Sequence, residues 1–453
     1  MKKFLGVIRL GHRVLVFLLI TIIFLSGCTF SGDARQMIDQ ILDQVAPLAP
    51  AVTETVVSTQ TTVSEVTPQP TLSPTPQDLG PTELIVWVPP QFDPQLDTPE
   101  AGLMRSQIAE FEAQNQDVFV RVRVKAESGP TGLLESLTIT SAAATEAVPA
   151  LIALPRSLLE EAVTRQLIHP IDSFSTRIDD DDWYDYARRL TLIEGSNYGL
   201  PFAGDALLLV YRQNVVGTAP VTWEDILKRG EPLSFPAADP QALVTLNLYL
   251  SAKGGFEDAQ RHLELDQEIL NQVLTLYENG SKSGVFPLWL TQFQKNADAW
   301  TAYNELRSNL TIVWASNYLK SMPPDSSAVA VPSFSETPFS LADGWVWCLA
   351  DPYPERHALS VSLAEFLVQP DFLDNWSVEA GVFPVRPSSL QSWNNPQLSV
   401  LLGQVALSAQ IRPKNEVILT VGPVFADGVL QVLSSKTPAA EAAQNIIEKI
   451  GNP

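Results

Sequence analysis

The side chains of this 453-residue chain best suited to chemistry are aromatic and acidic groups at the ends of short apolar runs. Trp87 sits at the carboxyl end of the run LIVWV (84 to 88), and Asp205 comes just after Pro201-Phe202. Trp314 ends TIVW and is followed by Asn317 and Tyr318, while Asp343 and Trp345 open DGWVWCLA. A flat indole or phenol can cover the apolar face of a ring, and carboxylates or amides can re-pair hydroxyls that lose water, so this set suits a polyhydroxylated small molecule. The competing role for each aromatic is core packing. Trp345 and Trp347 share one strand face, with Trp347 deeper, so Trp345 is assigned to a ligand and Trp347 to the core. Gly344 beside Trp345 would let the backbone pass close to a bound molecule.

Other chemistries have less support. HExxH, CxxC, GxxxxGK[ST] and GxSxG spacings are absent, and the cysteines are only Cys28 and Cys348, so zinc hydrolysis, P-loop chemistry and a serine elbow are not indicated. No cofactor or metal is expected. The run Asp179 to Asp182 lacks the spacing of a calcium loop and reads as a solvated loop. Cys348, in an apolar strand, reads as a buried thiol. Fifty-one acidic residues allow many carboxylate pairs, so a polysaccharide hydrolase stays open as an alternative. The net charge of −22 argues against nucleic acid as a partner.

The elements that must position these groups begin after an amino-terminal preamble. Lys2, Lys3, Arg9 and Arg13 precede the apolar run Val14 to Leu25, an export signal of about a dozen apolar residues against the roughly 20 needed to span a bilayer. It ends in Leu25-Ser26-Gly27-Cys28, which resembles the lipobox of bacterial lipoproteins. That likeness implies cleavage after residue 27 and lipidation at Cys28; a signal anchor with an ordinary cysteine is the other reading. Residues 28–82, rich in Ser, Thr and Pro, predict a disordered stalk. Beyond it, apolar runs at 84–88, 118–124 and 151–154 alternate with helical patterns around Met104 to Phe111, Leu133 to Leu137 and Leu158 to Val163, which predicts βαβ units in a mostly parallel sheet. Strands at 207–211, 311–314, 328–331 and 345–349 follow among helices, one of them starting at Asp266 and closed by Gly280. A single core stops growing near about 250 to 300 residues, so the fold class is α/β in two lobes. Ligands of such sheets bind beyond the carboxyl ends of the strands.

Five segments in order carry a family likeness: LIVWV with IAEFEAQNQDVFVRVRV (108 to 124), QLIHPID (166 to 172), YGLPFAGDALLLVYRQN with TWEDIL (198 to 227), DGWVWCLA (343 to 350) and AGVFPVR (380 to 386). Together they resemble the extracellular solute-binding proteins of the maltose-binding type, the receptors of ATP-binding cassette sugar importers. The resemblance implies a first lobe from 83–206 and about 338–366, and a second, more helical lobe from 207–337 and about 367–453. It further implies a cleft between the lobes that holds Trp87, Asp205, Trp314, Asn317, Tyr318, Asp343 and Trp345. The implied function is a non-enzymatic, monomeric receptor, lipid-anchored outside the cell membrane, that closes on a sugar and passes it to a permease; a sensor or adhesion lipoprotein on the same fold is a further alternative. Pro149-Ala150 replaces a common proline-aspartate pair, NELRSNLTIVW (304 to 314) lacks the usual glycine, and residues 388–453 match only as generic helices.

Overall fold

The computed structural model describes residues 82–451, apart from 258, 259 and 261. The signal segment, Cys28 and all but the last residue of the expected stalk lie outside these residues. Thr82 already belongs to the first strand.

Eleven strands are described: β1 (Thr82–Val88), β2 (Val118–Val124), β3 (Leu151–Pro155), β4 (Leu192–Ile193), β5 (Ser196–Asn197), β6 (Gly199–Arg212), β7 (Leu233–Ser234), β8 (Leu310–Trp314), β9 (Ser326–Ala330), β10 (Ser340–Leu349) and β11 (Ala409–Ile411). The main sheet runs β2-β1-β3-β10-β6-β8-β7, with β11 on β10 and β9 on β6; β4 and β5 form a separate hairpin. β1 is buried from Leu84 to Val88 and pairs in parallel with β2 and β3, as a strand covered on both faces should. The sheet is mixed rather than mostly parallel, because β10 returns from the second lobe and must run antiparallel to β3 and β6.

β6 is nearly three times the length expected from LLLVY alone. Its first half, Gly199 to Ala206, pairs with β10; its second half pairs with β8 on one side and β9 on the other. One strand therefore serves both lobes. The β6–β10 register slips at Trp345/Val346, where Phe202 is the extra residue and Pro201 has no N–H to contribute.

Helices behave as their ends dictate. Thr222 Oγ1 accepts from Asp225 N at 3.1 Å to start Trp223–Arg229, and Asp266 Oδ1 accepts from Glu268 N and Ile269 N at 2.9 and 3.0 Å to start Gln267–Ser283. That second helix does not close at Gly280. It runs on to a left-handed Gly284, and Gly280 lies inside it, where a Cβ would meet the Phe286 ring at 2.1 Å.

After residue 366 the chain packs in two places. Helix Pro370–Ala380 packs on first-lobe helix Pro99–Gln114, and the Trp376 ring lies 5.7 Å from Phe92 and 5.8 Å from Phe202. Helices Asn415–Leu433 and Ala439–Gly451 instead cover helix Gln267–Ser283 in the second lobe. The apolar faces decide this: Phe372, Leu373 and Trp376 meet an aromatic cluster of the first lobe, while Val421, Phe425, Val429 and Ile446 face the second.

Candidate functional site

A cavity of about 290 Å³ opens where the lobes meet. The first lobe supplies Glu127, Pro155, Ser157 and Trp345, and the second supplies Asp239, Gln241, Leu243, Gln294, Lys295, Asn296 and Trp314. Asp205, Asp343, Gly344 and Arg412 come from the crossing segments between them. Of the residues named from sequence, Asp205, Trp314, Asp343 and Trp345 meet here.

Trp87, Asn317 and Tyr318 do not line this cavity. Trp87 is 1% exposed in β1, between Arg123 of β2 and Ile152 of β3, with Lys125 Nζ over its ring at 4.5 Å. Packing between two neighbours, rather than position at a strand end, decides its place. Tyr318 is buried on the short helix Ala315–Leu319 with its hydroxyl 3.4 Å from Ser326 O, and Asn317 on the same helix is half-buried.

Each crossing carboxylate is held by its own donors. Asp205 Oδ1 accepts from Ala206 N and Ser316 N, both at 3.0 Å, and Oδ2 accepts from the Ser316 hydroxyl. Burial raises this carboxyl from its ordinary 3.8 to about 6, opposed by the Ser316 and Ala206 hydrogen bonds and reinforced by Asp343. Asp343 Oδ1 accepts from Gly344 N at 2.8 Å, and Oδ2 lies 3.7 Å from Arg412 Nη1. Burial raises Asp343 too, while Arg412 pulls it down. Asp239 lies in the turn before the helix Leu243–Ser251, accepting from Gln241 N at 2.9 Å and Leu243 N at 3.2 Å, and burial raises its carboxyl.

The two cleft tryptophans come from opposite lobes. Trp314 ends β8, where its backbone N donates to Asn296 Oδ1 at 3.3 Å. Trp345 is half-buried and meets Phe92 edge to face at 5.3 Å. Trp347 is 1% exposed and stacked on Phe202 at 4.4 Å, so depth along one strand separates the pair. Gly344 lines the cavity and is also required by the fold. A Cβ there would strike Ala203 O at 2.6 Å and Leu190 Cδ1 at 2.7 Å, so it is the neighbouring strand and helix that need a glycine.

Sequence reading missed Glu127, Ser157, Asp239, Gln241, Gln294, Lys295, Asn296 and Arg412. The aspartate of PAADP (236 to 240), a turn before a helix, was the one local signal available. Among the described residues no cluster of three or more His, Cys, Asp or Glu could hold a metal ion. The run Asp179 to Asp182 is engaged in the fold: Asp180 pairs with Arg177 at 3.7 Å, and Asp182 Oδ1 accepts from Ser388 N at 3.0 Å. Cys348 is fully buried, and burial pushes its thiol far up. The cleft thus offers two indole faces, ionisable acceptors and amide or cationic donors, the complement of a ring bearing hydroxyls.

Residues 106–399, more than half of the chain, match the family described as bacterial extracellular solute-binding protein. No curated protein matches the sequence significantly. Among solved structures, the cyclic alpha-maltosyl-1,6-maltose binding protein from Arthrobacter globiformis is 17% identical with a TM-score of 0.68, covering 82% of this chain and 98% of its own. The sugar-binding protein MalE from Xanthomonas citri is 19% identical with a TM-score of 0.65, covering 82% and 96%. A cyclo/maltodextrin-binding protein complexed with maltotetraose is 18% identical with a TM-score of 0.65, covering 82% and 97%. These likenesses establish the two-lobe fold.

Proposed function

Because the chain belongs to the bacterial extracellular solute-binding family, we propose that it is a receptor that captures a carbohydrate between its lobes and presents it to an ATP-binding cassette permease. The observation that carries this reading is the placement of Trp314 and Trp345, one from each lobe, on a cavity also lined by Asp205 and Asp343. A ligand touching both indoles can do so fully only when the lobes approach, so binding shifts the population toward the closed form. The names of the structural relatives favour an oligosaccharide of glucose as the first probe. Cys28 would carry the lipid that holds the receptor at the outer face of the cell membrane, with residues 28–81 as the stalk.

A binding role fits the cleft better than hydrolysis. Asp205 already accepts three hydrogen bonds from Ala206 and Ser316, which leaves it poorly placed to exchange a proton with a substrate. The test is thermal melting of the purified protein with maltotetraose, other linear and cyclic glucans, and single sugars, followed by mass spectrometry of the recovered ligand. A rise in melting temperature with ligand recovered intact supports the receptor. No shift with any saccharide, or the appearance of cleavage products, would overturn it.

A further inference from the structure

Three chain segments pass between the lobes, and the third brings a cation to the cleft. β11 lies parallel to the start of β10, and Arg412 N extends the pairing by donating to Ala342 O at 2.9 Å. The Arg412 side chain is 4% exposed, with Nη1 3.7 Å from Asp343 Oδ2. Its Nη2 donates to Asn415 Oδ1 at 3.3 Å. Asn415 in turn donates through Nδ2 to Ser157 O and through its backbone N to Glu160 Oε2, both at 2.7 Å. The guanidinium is therefore fixed from behind by the first-lobe helix Arg156–Thr164. It is buried too deeply to offer a ligand more than an edge. Asp343, against which it lies, lines the cavity with 21% of its side chain exposed.

We propose that Arg412 is a positioning residue acting through Asp343: it holds that carboxylate ionised and facing the cleft, where the carboxylate accepts a hydroxyl of the bound solute. The assignment rests on the receptor reading and deepens it by naming the contact as a hydroxyl donating to an ionised carboxylate. The charges around Asp343 make Arg412 the decisive one. Asp205 faces it from β6, Glu160 and Arg156 from helix Arg156–Thr164, and Glu127, Asp239 and Lys295 line the same cavity. Arg156 is engaged by Glu160 and by the carbonyls of Arg189, Leu190 and Leu192. Among the described residues Arg412 is the one cation within ion-pair distance of Asp343. Without it, burial and the neighbouring acids would favour the protonated carboxyl, which presents a donor where the ligand needs an acceptor.

Two readouts test this. Carboxyl 13C NMR of aspartate-labelled, ligand-free protein, assigned with Asp343→Asn, follows the Asp343 titration directly. It is expected to move to higher pH in Arg412→Gln and to return toward the wild-type position in Arg412→Lys. The dissociation constant for maltotetraose is then measured across pH. Arg412→Gln should weaken binding about tenfold below neutral pH, with Arg412→Lys rescuing most of the loss, and should add nothing in an Asp343→Asn background. An unmoved Asp343 titration, or an equal loss in the Asp343→Asn background, would overturn the role of Arg412 while leaving the receptor intact. If the wild type binds no saccharide, the receptor reading fails, and the ligand contact fails with it whatever the titration shows.

Discussion

Asp343 stands directly opposite Asp205 in the antiparallel register of β10 and β6, so two carboxylates face each other where the strands pass between the lobes. Like charges in that position destabilise a sheet unless each is relieved. Here the relief comes from opposite directions: Ser316 of the second lobe donates to Asp205, and Arg412 of the third crossing lies beside Asp343.

Asp205→Asn should flatten part of the pH dependence of stability. The folded protein holds the Asp205 proton more tightly than the unfolded chain, since the carboxyl rises from 3.8 to about 6. Stability therefore falls as pH rises between those values and is level above them, by about 2 kcal/mol after allowance for partial exposure. Urea unfolding at pH 4 and pH 7 measures the difference; the same slope in wild type and variant would refute the assignment.

Trp345→Ala should weaken saccharide binding by about 1 to 3 kcal/mol with a small effect on the ligand-free melt. Trp347→Ala should do the reverse, with about 3 to 5 kcal/mol lost from stability, because it is buried against Phe202. Calorimetry of both variants with and without maltotetraose decides the matter, and equal destabilisation of the free protein by the two would make Trp345 a packing residue.

Gly344→Ala should destabilise the fold by about 1 to 3 kcal/mol, since neither Ala203 O nor Leu190 can withdraw without disturbing the paired crossings. Gly255→Ala is the control, having nothing within 4 Å of its Cβ position. Chemical denaturation of the pair should separate them clearly; similar midpoints would mean that the crossing tolerates a side chain.

Cys28→Ala should release the protein from the membrane fraction and abolish palmitate labelling. Retention of the variant, together with an unlabelled wild type, would favour a signal anchor over a lipoprotein.

Much of the fold was legible because its strands are short apolar runs with turn residues beside them, as in LIVWV, LIAL and TIVW. Asp205, Trp314, Asp343 and Trp345, which line the cavity, could be picked out because they sit at the ends or crossings of such runs. Arg412 was not: IRPKNE (411 to 416) carries no local mark, and only pairing of β11 with β10 brings it near Asp343. Gln294, Lys295 and Asn296 belong to a loop whose role depends on tertiary placement beside Trp314. The burial of Trp87 was not legible for the same reason, since a strand end reads alike whether or not a neighbouring strand and Lys125 cover the ring.

The last stretch of the chain completes structures begun much earlier. Helix Gln267–Ser283 has its apolar face covered by Asn415–Leu433 and Ala439–Gly451, and Ser281 Oγ donates to Leu433 O at 3.1 Å. The first lobe likewise waits for β10 and for helix Pro370–Ala380. A nascent chain thus emerges with both halves unfinished, and the sequence-distant contacts that close them form only once these later residues have been made. A polypeptide stopped before residue 415 would leave the apolar face of helix Gln267–Ser283 bare, and proteases would meet it as an unfinished product rather than as a shorter receptor.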